Sequence, residues 1–67
     1  MYSCYYVVDC INLKSLVFIG NKFKSLTQAI ESGRQYILEH KLKYDLFVQK
    51  EDKSYSCFVG YYELLGA

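Results

Sequence analysis

Apolar and polar positions alternate with a period of two at the start of the chain. In residues 2–11, YSCYYVVDCI, one face carries Tyr2, Cys4, Tyr6, Val8 and Cys10, and the other face is mixed. This alternation, with its β-branched and aromatic side chains, predicts a first strand over 2–11. Residues 12–14 are predicted to form a turn, and residues 15–19 a second strand that returns antiparallel to the first.

The period changes from 2 to 3.6 after residue 24. Ser25 begins the pattern S-x-x-Q with Gln28, which favours a capping box at a helix N-terminus. We therefore predict a helix from about residue 26 to residue 40. Its apolar stripe consists of Leu26, Ala29, Ile30, Gly33 and Ile37, with Tyr36 on the flank.

Gly33 lies at the centre of this apolar stripe. Glycine inside a helix costs about 1 kcal/mol relative to alanine. A glycine on the buried side is explained if the helix axis must approach a sheet closely. We therefore expect Gly33→Leu to destabilise the fold by overpacking and Gly33→Ala to be mild or even stabilising.

Two further strands are predicted after the helix. The third strand is predicted over residues 44–49, YDLFVQ, and is followed by a polar turn over residues 50–53. The fourth strand is predicted over residues 54–63, SYSCFVGYYE, and a short tail over residues 64–67. The order ββαββ predicts one α+β domain over 1–67, with an antiparallel sheet of about four strands covered on one face by the single helix.

One helix can cover only one face of such a sheet. The predicted covered face contains Cys4, Tyr6, Val8, Cys10, Leu46, Val48, Cys57 and Val59. The open face of a sheet in water is usually polar. Here the predicted open face instead carries Tyr5, Val7, Ile11, Phe47, Phe58 and Tyr62, with Leu64 and Leu65 in the tail. An exposed apolar patch of this kind favours a protein partner or a homodimer at these residues. A one-residue slip of register would exchange the two faces, and a tail folded over the open face would cover it.

Composition narrows the classes of function only a little. The net charge of +1 gives no electrostatic reason to expect nucleic acid, a membrane surface or acidic partners. No stretch approaches the length of a membrane span, and no signal-peptide pattern is visible. The three cysteines include no CxxC pair, which favours free thiols in a reducing cytoplasm.

Candidate chemistry is sparse. The spacing of Cys4 and Cys10 fits no common zinc site, so no metal or cofactor is predicted. The simplest interpretation of His40 is a residue at the helix C-terminus that interacts favourably with the helix dipole. A nucleophile pair of His40 with a cysteine is formally possible. Glu51 and Asp52 are most simply a solvated turn. These patterns predict that the chain is not an enzyme.

Single-stranded nucleic acid is the main alternative partner. Aromatic side chains on an open sheet face can stack bases. Against this, the lysines before the helix (Lys22, Lys24) and after it (Lys41, Lys43) are about 22 Å apart, at 1.5 Å per residue of helix. That separation interrupts a continuous basic groove.

The size and composition are similar to those of small accessory proteins of phages and mobile elements. Phe, Tyr, Ile, Lys and Asn, which have AT-rich codons, total 25 residues, whereas Gly, Ala, Arg and Pro total 7. The similarity implies a non-enzymatic protein that binds and inhibits a larger host protein in the host cytoplasm, as anti-CRISPR proteins do. The alternatives are a single-strand-binding sheet module and a structural homodimer.

Overall fold

The computed structural model of the chain describes residues 1–8 and 16–66. The elements are β1 (Tyr2–Val7), β2 (Leu16–Phe23), α1 (Leu26–Glu39), β3 (Asp45–Lys50), β4 (Ser56–Val59) and α2 (Tyr61–Leu64). The predicted α+β fold is confirmed, with four antiparallel strands and one main helix in the order ββαββ.

The sheet has the strand order β2-β1-β3-β4. Because β1 is antiparallel to both β2 and β3, these two neighbours are parallel to each other. The helix α1 connects them and contacts all three strands. The arrangement is a split β-α-β unit with β1 between the two parallel strands, and β4 extends it by pairing with β3.

The core lies between α1 and one face of the sheet. Its fully buried side chains are Cys4, Ala29, Ile37, Leu46, Val48 and Leu64. The predicted covered face is confirmed for most of its members: Cys4, Leu46 and Val48 are buried, and Tyr6, Cys57 and Val59 pack against them. The prediction is wrong for Val8, which is exposed because β1 ends at Val7. Residues 9–15 lie outside the described part of the chain, and with them the predicted positions of Cys10 and Ile11.

The predicted fourth strand is too long. β4 ends at Val59, and residues 61–64 form the single helical turn α2 instead. The Asp45 carboxylate accepts a hydrogen bond from the Tyr61 backbone N–H at 2.8 Å, where the chain leaves the sheet. Leu64 then enters the core, and its carbonyl accepts a 2.6 Å hydrogen bond from Arg34 Nε. Leu64 therefore completes the helix side of the sheet, and residues 64–66 do not cover the open face.

Helix α1 begins and ends with hydrogen bonds that its sequence specifies. Ser25 Oγ accepts from the Gln28 N–H at 3.1 Å, as the capping box predicts, while Gln28 Oε1 accepts from the Lys24 N–H at 2.8 Å, one residue before the cap. At the other end, the N–H groups of Lys41 and Leu42 bind the carbonyls of Leu38 and Ile37. This is the Schellman pattern, and it places Lys41 at a positive φ of 55°.

Gly33 is the point where α1 comes closest to the sheet. A Cβ at this position would lie 2.6 Å from Cys4 Sγ and 2.9 Å from both terminal carbons of Leu46. Both neighbours are fully buried side chains of the central strands. The expected close approach is confirmed, and the contacts are tighter than a mild Gly33→Ala replacement would allow.

Both edges of the sheet are blunted. The β1–β2 register shifts twice, between Tyr2 and Cys4 and between Cys4 and Tyr5. At the opposite edge, β4 has only four residues. Irregular or short edge strands are common protections against pairing with another chain.

We expect Gly33→Ala to destabilise the protein by about 1–3 kcal/mol, because overpacking outweighs the gain in helix propensity. In a Cys4→Ala background the penalty should shrink by at least about 0.5 kcal/mol, since the shortest contact is removed. Denaturant unfolding of the four proteins of this double-mutant cycle measures both quantities. Gln35→Ala, on the exposed face of α1, is the control and should change stability little. A Gly33→Ala protein more stable than wild type in both backgrounds would contradict the close-contact interpretation.

We expect Lys41→Gly to stabilise the protein by about 1 kcal/mol, because a side chain at positive φ is strained and glycine is not. Lys43→Gly, in the same connection but without a positive φ, is the matched control and should give no gain. Thermal and urea unfolding measure the difference. Equal effects of the two replacements would contradict the assigned helix end.

Candidate interaction surface

Four aromatic rings form a continuous row across the face of the sheet that α1 does not cover. We call this set the aromatic row; in spatial order it is Phe18, Tyr5, Phe47 and Phe58. The ring centroids are 5.6 Å apart for Phe18 and Tyr5, 6.1 Å for Tyr5 and Phe47, and 4.9 Å for Phe47 and Phe58. Each strand of the sheet contributes one ring.

The strand register creates this row. Tyr5 lies opposite Phe18 on one side and opposite Phe47 on the other, and Phe47 lies opposite Phe58. Directly opposed residues on one face of a sheet are close enough for their side chains to pack. The chain neighbours of these rings, such as Cys4 and Val48, point into the core, so the rings point away from α1.

The ends of the row are the most accessible part of it. Phe18 is 54% exposed and Phe58 is 50% exposed, whereas Tyr5 and Phe47, between them, are half-buried. Neighbouring rings hold each other in place, so ordering them on binding costs little entropy. The row is therefore a preorganised apolar strip that water contacts along its length.

Short or uncharged polar side chains border the row on one side. Ser3, Gln49 and Ser56 lie opposite one another on β1, β3 and β4, two residues from the rings along each strand. We call these three residues the polar shelf. An apolar centre with an uncharged polar border resembles the composition of protein–protein interfaces.

The other border of the row is less accessible. Val7 lies opposite both Leu16 and Asp45 there. Val7 is only 3% exposed, and the Asp45 carboxylate is bound to the Tyr61 N–H. Lys22 of β2 is exposed next to the core-packed Phe23, so strand alternation places it on the open side, and the paired positions of that face in the described residues carry no other lysine or arginine.

The predicted partner-binding residues separate into three groups. Tyr5, Phe47 and Phe58 come together in the aromatic row. Tyr62 is 79% exposed but lies on α2, where its ring centroid is 5.7 Å from that of Tyr61. Val7 lies on a strand of the sheet but is almost fully buried, so it offers almost no surface to a partner. The predicted contribution of Ile11 lies outside the described residues.

Phe18 is the member of the row that the sequence analysis missed. The period-two pattern of SLVFI predicts a strand but does not say which of its residues opposes Tyr5. That pairing depends on the hairpin register, and two irregularities in the β1–β2 ladder change the register along the strand. The available signal was the phenylalanine within the predicted second strand, residues 15–19.

A second group of stacked rings lies at the side of α1. Tyr6 stacks on Tyr44 at 5.6 Å and on Tyr36 at 6.0 Å, and Tyr36 stacks on His40 at 4.1 Å. His40 is the C-cap residue of α1, and its Nδ1 donates to the Tyr36 carbonyl at 2.9 Å. These contacts give His40 a structural role at the helix end, in agreement with the simpler interpretation of this residue.

Reactive chemistry is not evident in the described residues. Burial, with a smaller contribution from nearby Cys57, raises the pKa of the Cys4 thiol to about 11, so this thiol stays protonated and unreactive at neutral pH. Within residues 1–8 and 16–66, no group of three His, Cys, Asp or Glu side chains is placed to hold a metal ion. In the same residues, no helix has the length and apolar character needed to cross a membrane.

Comparisons of the chain with protein-family models, with curated proteins and with solved structures give no significant match.

We expect the Cys4 thiol to make stability depend on pH in the alkaline range. Its folded pKa of about 11 exceeds the ordinary value of 9.0, so its contribution is intact below pH 9 and is lost as pH rises toward 11. The loss should be about 2–3 kcal/mol, at 1.36 kcal/mol per pKa unit. The measurement is the free energy of unfolding of wild type minus that of Cys4→Ala between pH 8 and pH 11. The difference between the two proteins removes contributions that they share, so parallel curves would contradict the prediction.

Proposed function

We propose that this chain is a small non-enzymatic interaction protein that binds a larger protein through the aromatic row. The observation that carries the proposal is a set of four contacting rings, one from each strand, on a sheet face that the chain's own helix leaves open. Aromatic side chains supply large contact area and are enriched among interface hot spots. The two half-exposed phenylalanines at the ends of the row are the expected anchors.

The charge distribution favours a protein partner over nucleic acid. Binding to a phosphate backbone depends on lysine and arginine contacts. In the described strands the open face carries a single such residue, Lys22 on the edge strand β2, and the net charge of the chain is only +1. An uncharged polar border instead suits the rim of a protein interface.

The finer form of the proposal is inhibition of a larger host protein. The short chain, its residue composition and its similarity in size to phage and mobile-element accessory proteins support that role, which includes defence nucleases among the possible targets. A rigid aromatic surface on a small domain can occlude a partner's site without any catalytic group of its own. On this proposal the protein acts in the cytoplasm of the host.

Single-stranded nucleic acid is the second candidate, and one observation favours it. Exposed rings on a sheet can each stack a base, at about 1–3 kcal/mol per base. Such binding would weaken steeply with added salt. Nuclease treatment and a salt series therefore separate it from protein binding.

The test is capture of a partner from a candidate host lysate, with and without nuclease, by wild-type protein and by the double variant Phe18→Ser, Phe58→Ser. We expect wild type to retain a protein partner after nuclease treatment. Loss of two aromatic hot spots should weaken its binding by about 30-fold or more.

Tyr55→Ser is the matched control, because Tyr55 is 45% exposed and lies outside the row. Tyr62→Ser tests separately whether the ring on α2 takes part. Circular dichroism must show an intact helix in every variant. Undiminished capture by the double variant would contradict the proposal, and capture that nuclease abolishes would favour the second candidate.

A further inference from the structure

We infer that residues 60–66 form a releasable clasp, which is docked on the helix side of the sheet in the structure and extends β4 when it is released. In the released form Tyr62 joins the open face of the sheet. The role of this form rests on the proposed function, because it adds a fifth ring to the surface that would bind the larger protein. The basis of the inference is the small number of contacts that hold the clasp, the geometry at Gly60 and the strand pattern of the sequence.

Few contacts hold the clasp in its docked position. Leu64 is the one buried side chain of residues 60–66, and Tyr61 is partly buried against the core. Arg34 Nε donates to the Leu64 carbonyl at 2.6 Å, and the Asp45 carboxylate accepts from the Tyr61 N–H at 2.8 Å. A segment with so few buried contacts opens at a lower free energy than the core. The clasp is therefore expected to open while the sheet stays folded.

Gly60 has the properties of a hinge at the start of the clasp. Its φ of −66° and ψ of 150° lie in the extended region, which residues of every type adopt. A Cβ at this position would have Glu63 Oε1 as its nearest neighbour, at 3.7 Å, which is an ordinary contact. The docked form therefore does not require a glycine here, whereas a change in chain direction at this point is easiest at a glycine.

The ladder between β3 and β4 has room to continue into the clasp. It ends at the pair Leu46–Val59. Continued in the same register, it places Tyr62 opposite Lys43. Asp45, the first residue of β3, is paired with β1, but in the described residues it has no partner on the β4 side. Released residues therefore find ladder positions beside β3, and these offset part of the docking contacts that are lost.

Strand alternation decides which rings point to the open face in the released form. Val59 packs against the core, so Tyr61 stays on the helix side when the strand continues. Tyr62 then shares the open face with Phe58, and the residue between them on that face is Gly60, which has no side chain to separate the rings. Tyr62 is already 79% exposed, so it loses no burial on release.

The clasp makes binding depend on the extent of the partner's surface. A partner that contacts both Tyr62 and the aromatic row binds the released form more tightly than the docked form. Such a partner shifts the population toward the released form. A partner that touches the row alone has no such preference and leaves the clasp docked.

The test is amide hydrogen exchange of the purified full chain, measured by NMR. The N–H groups of Leu64 and Leu65 donate hydrogen bonds inside the clasp. We expect both to exchange at least about tenfold faster than the slowest amides of β1 and β3. Low concentrations of urea should speed exchange of the strand amides and leave these two unchanged, because release exposes little surface compared with unfolding.

Two variants separate release of the clasp from global unfolding. Arg34→Met retains an aliphatic side chain but removes the donor to the Leu64 carbonyl, so it should speed exchange of Leu64 and Leu65 about fivefold. Ser25→Ala removes the N-cap of α1, so it should speed exchange in β1 and β3 about fivefold and leave the clasp unchanged. Glu31→Gln removes only the partner of Arg34 in an exposed ion pair and is the control, with clasp amides unchanged.

The conformation of the released form is a separate measurement. Saturation-transfer NMR of Arg34→Met, in which the released form is more populated, gives the Cα shifts of that form. We expect strand-like values at Tyr61 and Tyr62. Gly60→Pro holds φ near −65°, as in the docked form, and should lower the released population at least about twofold.

Three results would overturn the inference: clasp amides that exchange no faster than those of the strands, equal acceleration of clasp and strands by Ser25→Ala, or a released form with random-coil shifts. These measurements do not involve the partner. If the clasp does not open separately but capture depends on Phe18 and Phe58, only the clasp is wrong. If the clasp opens as described but capture ignores the row, only the proposed function is wrong.

Discussion

The close approach of α1 to the two central strands is the constraint on which the rest of the structure depends. It is made at Gly33, where there is no room for a Cβ between the helix and the side chains of Cys4 and Leu46. The 67-residue domain has one main helix, and the buried apolar side chains of the core cluster lie between this helix and one face of the sheet. The tail strengthens the same side, since Leu64 enters the core and Arg34 holds its carbonyl. The opposite face is left to the aromatic row.

That division explains how a small domain can be stable and also present an apolar surface. The rings of the aromatic row are not isolated exposed residues, because each contacts its neighbour across the strands. Mutual packing partly covers the inner two, Tyr5 and Phe47, and leaves Phe18 and Phe58 more accessible at the ends. Irregular β2 and short β4 discourage growth of the sheet at its edges. The face, with its rings and polar shelf, is then the natural place for association.

Much of the fold follows from local patterns. The alternation of the strands, the Ser25–Gln28 cap and the apolar stripe of α1 predict the element order, and all three are present. Local patterns gave the wrong secondary structure or exposure where tertiary contacts determine the conformation. YYEL continues the alternation of β4, but the Asp45 carboxylate binds the Tyr61 N–H and Leu64 is buried, so the segment becomes a helical turn. Val7 has the alternation of an open-face residue, but it is almost fully buried.

The sequence by itself determined that the chain forms one ββαββ domain, that Gly33 faces the sheet, and that Tyr5, Phe47 and Phe58 share a face. These features depend on periodicity and capping, which are properties of neighbouring residues. Only the tertiary structure decided that β1 and β3 are central and that Phe18 completes the row, and it separated Tyr62 from the other rings. Strand order and register arise from contacts between residues distant in the chain, and one irregularity in a ladder changes which side chains meet. For that reason the elements could be predicted from the sequence, whereas the complete aromatic row could not.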